Sequence, residues 1–572
     1  MAKATKPPQG KAPRATKSQP KAAVPEKVTI TYDLFALPTA QHKAGLAGLL
    51  LQIRSMTQRK PALPAPCVLE WAATSATIEF TEPTLLSLMN HLYDAENVRV
   101  NVRAKWPNTT PITEDYVEDT DAQGKKKRIK VFVYEVCQPK GHFLRRYFEG
   151  EREIWLKLWR DMLWAIPRGN PQSRQPFEQR ARGELCKEGP AAWSDMVKVA
   201  VAREKNDLHT APVAGSLWLG AQATNAETIP FEGRAEQNLL LHFWPLASLV
   251  YVPQIVTPDG NSNAVGFVLA IPEVVSLKNF LANYPRMLAE LRPDARGIRP
   301  AEAIIDLPAE GALSFMEHLA CLAMDKATEA ANSDLQATIG GVDYLHLAKI
   351  GNNIKAMSSG RVSVRPHLLE QYQVIVGRPN ASAPYRNPLF RRGLMLALLN
   401  DVPWFRPFRE LFAEWPHKFF VPCDDSPKLP WFWADARTKL KEVRHNMPTD
   451  PQSQPEPNDK LAQLIYRLVR SYLAAMAADK SGVRLDGFKS DDKIQWENVP
   501  REYKEARQRA AETLFLEYRS RHDQAFVNHF VARLGAVKQY LNEGDYVLVS
   551  QALMTRCEDV KTLTLLALSA NS

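Results

Sequence analysis

The thirteen residues Met447 to Asp459 divide this chain into two unlike parts. The run MPTDPQSQPEPND holds four prolines and no large apolar residue except Met447. Proline fixes φ and removes a backbone donor, so such a run fits neither a helix interior nor a central strand and reads as a linker. Before it, from Val28 to about residue 446, short branched or alternating runs mix with helical ones and prolines occur throughout. That pattern predicts an α+β region with room for two subdomains. After it, LAQLIYRLVRSYLAAMA, REYKEARQRAAETLFLEYRSRHDQAFVNHFVARL, DYVLVSQALMTR and VKTLTLLALSA succeed one another at helical spacing. Residues 460–572 therefore read as an all-α bundle.

At 572 residues the chain is too long for one core. Its net charge is +10, but residues 1–27 carry seven Lys or Arg against one acid and account for +6 of it. This Pro-, Ala- and Lys-rich tail has no apolar run and reads as disordered, either a loose nucleic-acid tether or a solubilising end. The most apolar run, Leu239 to Val252, is broken by His242 and Pro245 and is too short to span a bilayer, so no membrane partner is expected. Six cysteines, at 67, 137, 186, 321, 423 and 557, lie far apart with no CxxC pair. That spacing argues against a zinc site or a disulfide framework and for a cytoplasmic setting.

Val28 to Tyr32 alternates branched and polar residues as a half-buried strand does, and Pro38 with Thr39 sets up a helix start. Leu46, Leu49, Leu50 and Ile53 follow at helical spacing, with Gly45 and Gly48 inside the pattern. Each glycine costs about 1 kcal/mol there relative to alanine, so another backbone is expected to pass close by. The stretch LFALPTAQHKAGLAGLLLQI, Leu34 to Ile53, resembles the opening signature of the large subunit of type I CRISPR Cascade complexes, in the myxobacterial-type branch associated with type I-B systems. A second block, His346 to Lys355 followed by Arg361-Val362 and Leu368 to Tyr372, is similar to a block of the same family.

The resemblance implies a protein that binds rather than cleaves. It implies recognition of a protospacer-adjacent motif in duplex target DNA by N-terminal loops, help in strand opening and R-loop stabilisation, and a docking surface for a downstream helicase-nuclease or transposition module. Implied partners are the crRNA, the repeated backbone subunit, the subunit holding the crRNA 5′ handle, and small subunits, which the C-terminal bundle resembles. Some type I-B systems also translate the small subunit internally from the large-subunit gene. Met447 sits where such a product would begin, and Lys441-Glu442-Val443 can be encoded as AAGGAGGTN, a ribosome-binding sequence.

From the residues themselves, no GxxxxGK[ST] loop, HExxH, nucleophile elbow or paired Cys/His cluster is present, and no cofactor is implied. A metal-dependent nuclease or processing enzyme with a dispersed acidic site is the alternative reading. Candidate nucleic-acid residues fall in four groups. The basic turn Lys125, Lys126, Lys127 and Arg128 precedes a strand, while Pro258 to Asn263 reads as a hairpin tip carrying Asn261 and Asn263, which can read a base edge. Residues 139–182 combine ten Lys or Arg with interleaved aromatics; Arg145 and Arg146 are the phosphate candidates, and the Trp155/Trp159 spacing equally fits core packing. Residues 361–409 hold eight arginines, no lysine and two acids, including Arg361, Arg386, Arg391 and Arg392, with Asn353 and Lys355 just upstream. In the charge-balanced segment from Met447, Arg501 and Lys504 lead a possible basic face, against the alternative of a solvated helix laced with i,i+4 glutamates.

Overall fold

The computed structural model describes residues 25–572 except 59–66, 107–108, 121–125, 167–170, 221–226, 228, 322–333, 352, 366, 378–383, 424–428, 446–455, 491–492 and 536–540. Most of the basic tail, Lys125, and Met447 with most of the linker lie outside the described residues.

Strand β1 (Val28–Asp33) alternates buried and exposed residues, as its sequence predicts, and pairs antiparallel with β3 (Ser75–Phe80), which also pairs with β2 (Cys67–Trp71). Between β1 and β2 runs helix α1 (Ala40–Thr57), started by Thr39, whose hydroxyl accepts from the His42 backbone N–H. Nearly every α1 residue is buried, so it is a core helix rather than an amphipathic one. A Cβ on Gly45 would come within 2.3 Å of the Leu240 carbonyl oxygen, and one on Gly48 within 2.2 Å of that of Phe243. The close backbone approach expected from these glycines is present. It is made by the apolar run Leu239–Val252, which closes the helix Ala235–Leu240, turns through Trp244–Leu246 and enters the central sheet.

Helix α2 (Glu82–Leu92) leads to an antiparallel ribbon of β4 (Ala95–Val102), β6 (Lys126–Pro139) and β5 (Thr113–Thr120), with β6 in the middle. The single-turn α3 (His142–Arg145), α4 (Glu153–Ala165), α5 (Pro171–Ala181) and α6 (Glu188–Glu204) follow. The small pair β7 (Thr210–Pro212) and β8 (Glu232–Arg234) precedes α7 (Ala235–Leu240). The central sheet comprises β9 (Leu249–Val256), β10 (Ser262–Ala264), β11 (Phe267–Val274), β15 (Ile339–Ile350) and β16 (Asn353–Ser363), in the order β10-β9-β11-β15-β16. Helix α8 (Leu277–Glu290) and the two-residue strands β12 (Ala295–Arg296), β13 (Arg299–Pro300) and β14 (Ile304–Ile305) lie between β11 and helix α9 (Glu310–Cys321). Of these, β14 joins β9 in parallel.

From Leu368 onward the described chain is helical apart from the minimal ribbon Lys489–Ser490 and Lys493–Ile494. The architecture is thus the expected α+β region followed by helices. The helix Cys557–Asn571 is buried along most of its length, in contact with Phe432–His445, Pro457–Ser481 and Arg501–Ser520. Helices before and after the predicted linker therefore share one core. Arg437 Nε donates to the Ala570 carbonyl at 2.8 Å, and Phe412 and Phe420 pack against Phe515.

Candidate nucleic-acid interface

The basic turn opens β6 at the tip of an exposed ribbon. Lys126, Lys127 and Arg128 face solvent, and β5 opposite them carries Glu114, Asp115, Glu118 and Asp119. Lys126 Nζ lies 3.4 Å from Glu118 and Lys130 Nζ 2.6 Å from Glu114. Exposed pairs of this kind contribute about 0–1 kcal/mol, so these cations exchange a carboxylate for a phosphate at little cost.

The 257–263 tip is an ordered turn. Gly260 takes φ +89, the Thr257 hydroxyl and the Asn261 amide both donate to Asp259, and the Thr257 N–H donates to the Asn261 carbonyl at 2.9 Å. Asn261 is therefore held inside the turn. Asn263, on the short exposed edge strand β10, extends into solvent.

Asn353 and Lys355 begin β16, which is exposed along nearly its whole length. They stand opposite Ile350 and Ala348. The hairpin end also exposes Ile350, Ile354 and Met357.

The arginine-rich segment divides sharply. Arg361 pairs with Glu273 and sits 3.6 Å from Asp343, in a cluster completed by Lys43, whose Nζ is 2.7 Å from Glu273. Arg391 forms an ion pair with Asp306 deep in the protein, next to Glu310. Burial pushes the Glu310 carboxyl up, reinforced by Asp306 and opposed by Arg391. Arg392 buries its Nε without a hydrogen-bond partner among the described residues. Arg365 caps the carbonyls of Leu398 and Leu399, and Arg406 binds Asp559 through two nitrogens at 3.1 Å. Only Arg386 of the four named candidates in this segment is exposed without a side-chain partner among the described residues.

In the 139–182 segment Phe143, Trp155 and Trp159 are core residues rather than stacking surfaces, while Tyr147 and Trp164 are half-buried. Trp155 and Trp159 are buried and donate from their indole nitrogens to the carbonyls of Arg292 and Pro245, at 2.8 and 3.0 Å. Arg145 is exposed, and Arg146 reaches Ser55 Oγ at 3.3 Å and Gln58 Oε1 at 3.4 Å. On the C-terminal helix, Arg501 and Lys504 face solvent, with Arg501 2.7 Å from Glu505, which Arg509 also approaches. Arg507 turns inward over the Trp496 ring.

One basic site escaped sequence reading. A cleft of about 1110 Å³ opens between the C-terminal end of α1, the end of β2, α3 and α8. Arg54, Arg146, Lys278 and Arg286 line it with Trp71 and Tyr147, over an apolar floor from α1 and α8, and among the described residues no acidic one lines it. Lys278 and Arg286 are two turns apart on one face of α8, the signal that was readable in sequence.

Among the described residues, no group of three or more His, Cys, Asp or Glu is placed to hold a metal ion, and no helix is long and apolar enough to cross a membrane.

Residues 65–329 match the family model of the type I-B CRISPR Cas8b N-terminal domain, and residues 339–571 match that of the Cas8b C-terminal domain. The chain belongs to the Cas8b family. It is the large subunit of a type I-B Cascade complex, which it forms with other Cas subunits. No curated relative matches it. The block from His346 to Tyr372 lies inside the matched span, whereas Leu34–Ile53 precedes it. The two Cas8b halves share the central sheet, since β11 of the first pairs with β15 of the second from Phe267↔Leu347 to Val274↔Ile339.

Proposed function

We propose that this Cas8b subunit recognises the protospacer-adjacent motif in duplex DNA, promotes strand opening beside the crRNA, stabilises the R-loop and docks the downstream helicase-nuclease or transposition module, without catalysing a reaction itself. Guide pairing then supplies target sequence specificity, and the subunit supplies motif reading and backbone contacts. The observation that carries this reading is the set of exposed strand ends bearing the groups such a task needs. These are a phosphate-exchanging ribbon tip at Lys126 to Arg128, an asparagine-bearing edge at Asn263, and the Asn353/Lys355 hairpin. Arginine or lysine neutralises phosphate, and asparagine offers a donor and an acceptor together to a base edge. Arg145, Arg386, Arg501 and Lys504 add exposed cations for backbone contact. We also propose that Met447 to Ser572 is made separately as a small subunit.

The test is reconstitution of the complex with crRNA, with and without this subunit, on duplex targets carrying matched or scrambled motifs. Omitting the subunit is expected to abolish motif discrimination while crRNA stays bound to the remaining subunits. Discrimination that persists without it overturns the reading. Incubating the isolated chain with DNA and divalent metal is expected to give no cleavage.

A further inference from the structure

We infer that the cleft between α1, α3 and α8 holds one unstacked nucleotide of a single strand, with its base against Trp71 and its flanking phosphates on Arg54, Arg146, Lys278 and Arg286. This deepens the proposed function, resting on its premise that the subunit meets unpaired nucleic acid.

Three features of the cleft converge on this ligand. The first is charge: four cations and no carboxylate line it, and none of the four forms an ion pair among the described residues. Arg361, Arg391 and Arg406, by contrast, each pair with a carboxylate. A basic lining without acids favours a polyanion. The second is a flat apolar surface in the same place. Trp71 is 45 % exposed at the end of β2, while Trp155, Trp159 and Trp244 are buried. An exposed indole beside unpaired cations suits a base and its phosphates together, since every base has a face to stack. An acidic peptide has phosphate-like charge but no such face.

The third feature is built into the backbone. Pro285 lies inside α8 and has no N–H, so the Leu281 carbonyl four residues earlier lacks its helical donor. Arg54 Nη1 reaches that carbonyl at 3.5 Å, which anchors one edge of its guanidinium over the cleft and leaves its other N–H groups free. Arg146 is likewise anchored through Ser55 and Gln58. Two anchored guanidinium groups thus line the cleft together with the α8 cations Lys278 and Arg286. The volume, about 1110 Å³, is just above the roughly 300–1,000 Å³ of small-ligand sites, ample for one nucleotide and too small for a duplex.

The test measures binding of short oligothymidylate and oligouridylate to the full-length chain across a salt series, with poly-glutamate as competitor. Trp71→Ala is expected to weaken binding by roughly five- to hundredfold, the loss of one base–aromatic stack, and Trp71→Phe to restore most of it. A Lys278→Gln/Arg286→Gln double variant is expected to flatten the salt dependence by about 0.7 per lost phosphate contact. Both α8 side chains are exposed, so its melting temperature should match the parent. The preferred strand identifies DNA or RNA as the source. Wild-type affinity in both Trp71→Ala and the double variant overturns the site, as does poly-glutamate competing as well as the oligonucleotides. If the complex shows no motif discrimination yet Trp71→Ala still loses single-strand binding, the cleft stands and the proposed function falls.

Discussion

Gly48 lies against the main chain of Phe243 so closely that a Cβ at position 48 would stand 2.2 Å from the Phe243 carbonyl oxygen. Gly45 makes the equivalent approach to Leu240 one turn earlier. Backbone cannot retreat as a flexible side-chain end can, so alanine here is overpacking. Gly48→Ala gains about 1 kcal/mol in helix propensity but is expected to lose about 2–3 kcal/mol to strain, for a net destabilisation of about 1–2 kcal/mol. Denaturant unfolding checks it, and an unchanged midpoint would show that the two segments part easily.

Arg391 is spent on the core. Replacing it with alanine leaves Asp306 and Glu310 buried without their ion-pair partner and is expected to cost about 3–5 kcal/mol. The folded fraction should bind duplex with the same affinity and salt slope as the parent. Arg386→Ala should do the reverse, leaving stability within about 0.5 kcal/mol while reducing the salt slope for duplex DNA by about 0.9.

These arginines show where sequence stops being informative. The spacing of Gly45 and Gly48 predicts a close backbone because a helix tolerates glycine poorly, a local rule. The helical character of the C-terminal part is legible for the same reason. Whether an arginine is free depends on partners far away: the carboxylates of Arg361 and Arg406 lie 88 and 153 residues distant. The cleft was illegible because Trp71, Arg54, Arg146 and Lys278 come from four separate elements, and only the fold brings them together. Asn261 reads as a base-edge candidate by type, yet its amide is engaged by Asp259.

That last difference separates the two asparagines. Asn263→Ala is expected to reduce motif discrimination in the complex by roughly 1–3 kcal/mol, the value of one good base contact. Asn261→Ala should loosen the turn and affect discrimination less. Competition between matched and scrambled duplexes measures both, and equal parental discrimination in the two variants removes this edge from motif reading.

Glu302 and His318 predict an acid limb. Burial alone would raise the Glu302 carboxyl, but His318 and Arg292 outweigh it and hold the group at about 2, below its usual 4.5. Burial lowers the His318 imidazole, yet Glu302 and Glu317 bring it above its usual 6.5. A depressed acid stabilises the fold above its unfolded value and loses that contribution as pH falls toward its folded one. A raised histidine stabilises below its unfolded value and loses the contribution as pH rises through its folded one. The pair is therefore fully effective between 4.5 and 6.5. Stability should fall by roughly 2–3 kcal/mol from this pair as pH drops from 4.5 toward 2. Urea midpoints across pH test this, since Glu302→Gln should flatten both limbs.

A separately made Met447–Ser572 product would lose the helix Phe432–His445 from beside Cys557–Asn571. The Arg437 bond to Ala570, the Ser569 hydroxyl bond to the Phe420 carbonyl, and the Phe412 and Phe420 rings around Phe515 would all go with it. Buried leucines of the last helix, Leu565 and Leu568 among them, would then have an uncovered neighbouring face. An apolar face of that kind drives association. The isolated 447–572 fragment is therefore expected to self-associate or to melt well below the full chain, and adding residues 388–446 should restore a monomeric, cooperative unit. Sedimentation and thermal unfolding of the two fragments decide it. A monomeric 447–572 fragment as stable as the longer one would mean that the helices before the linker contribute little to the bundle.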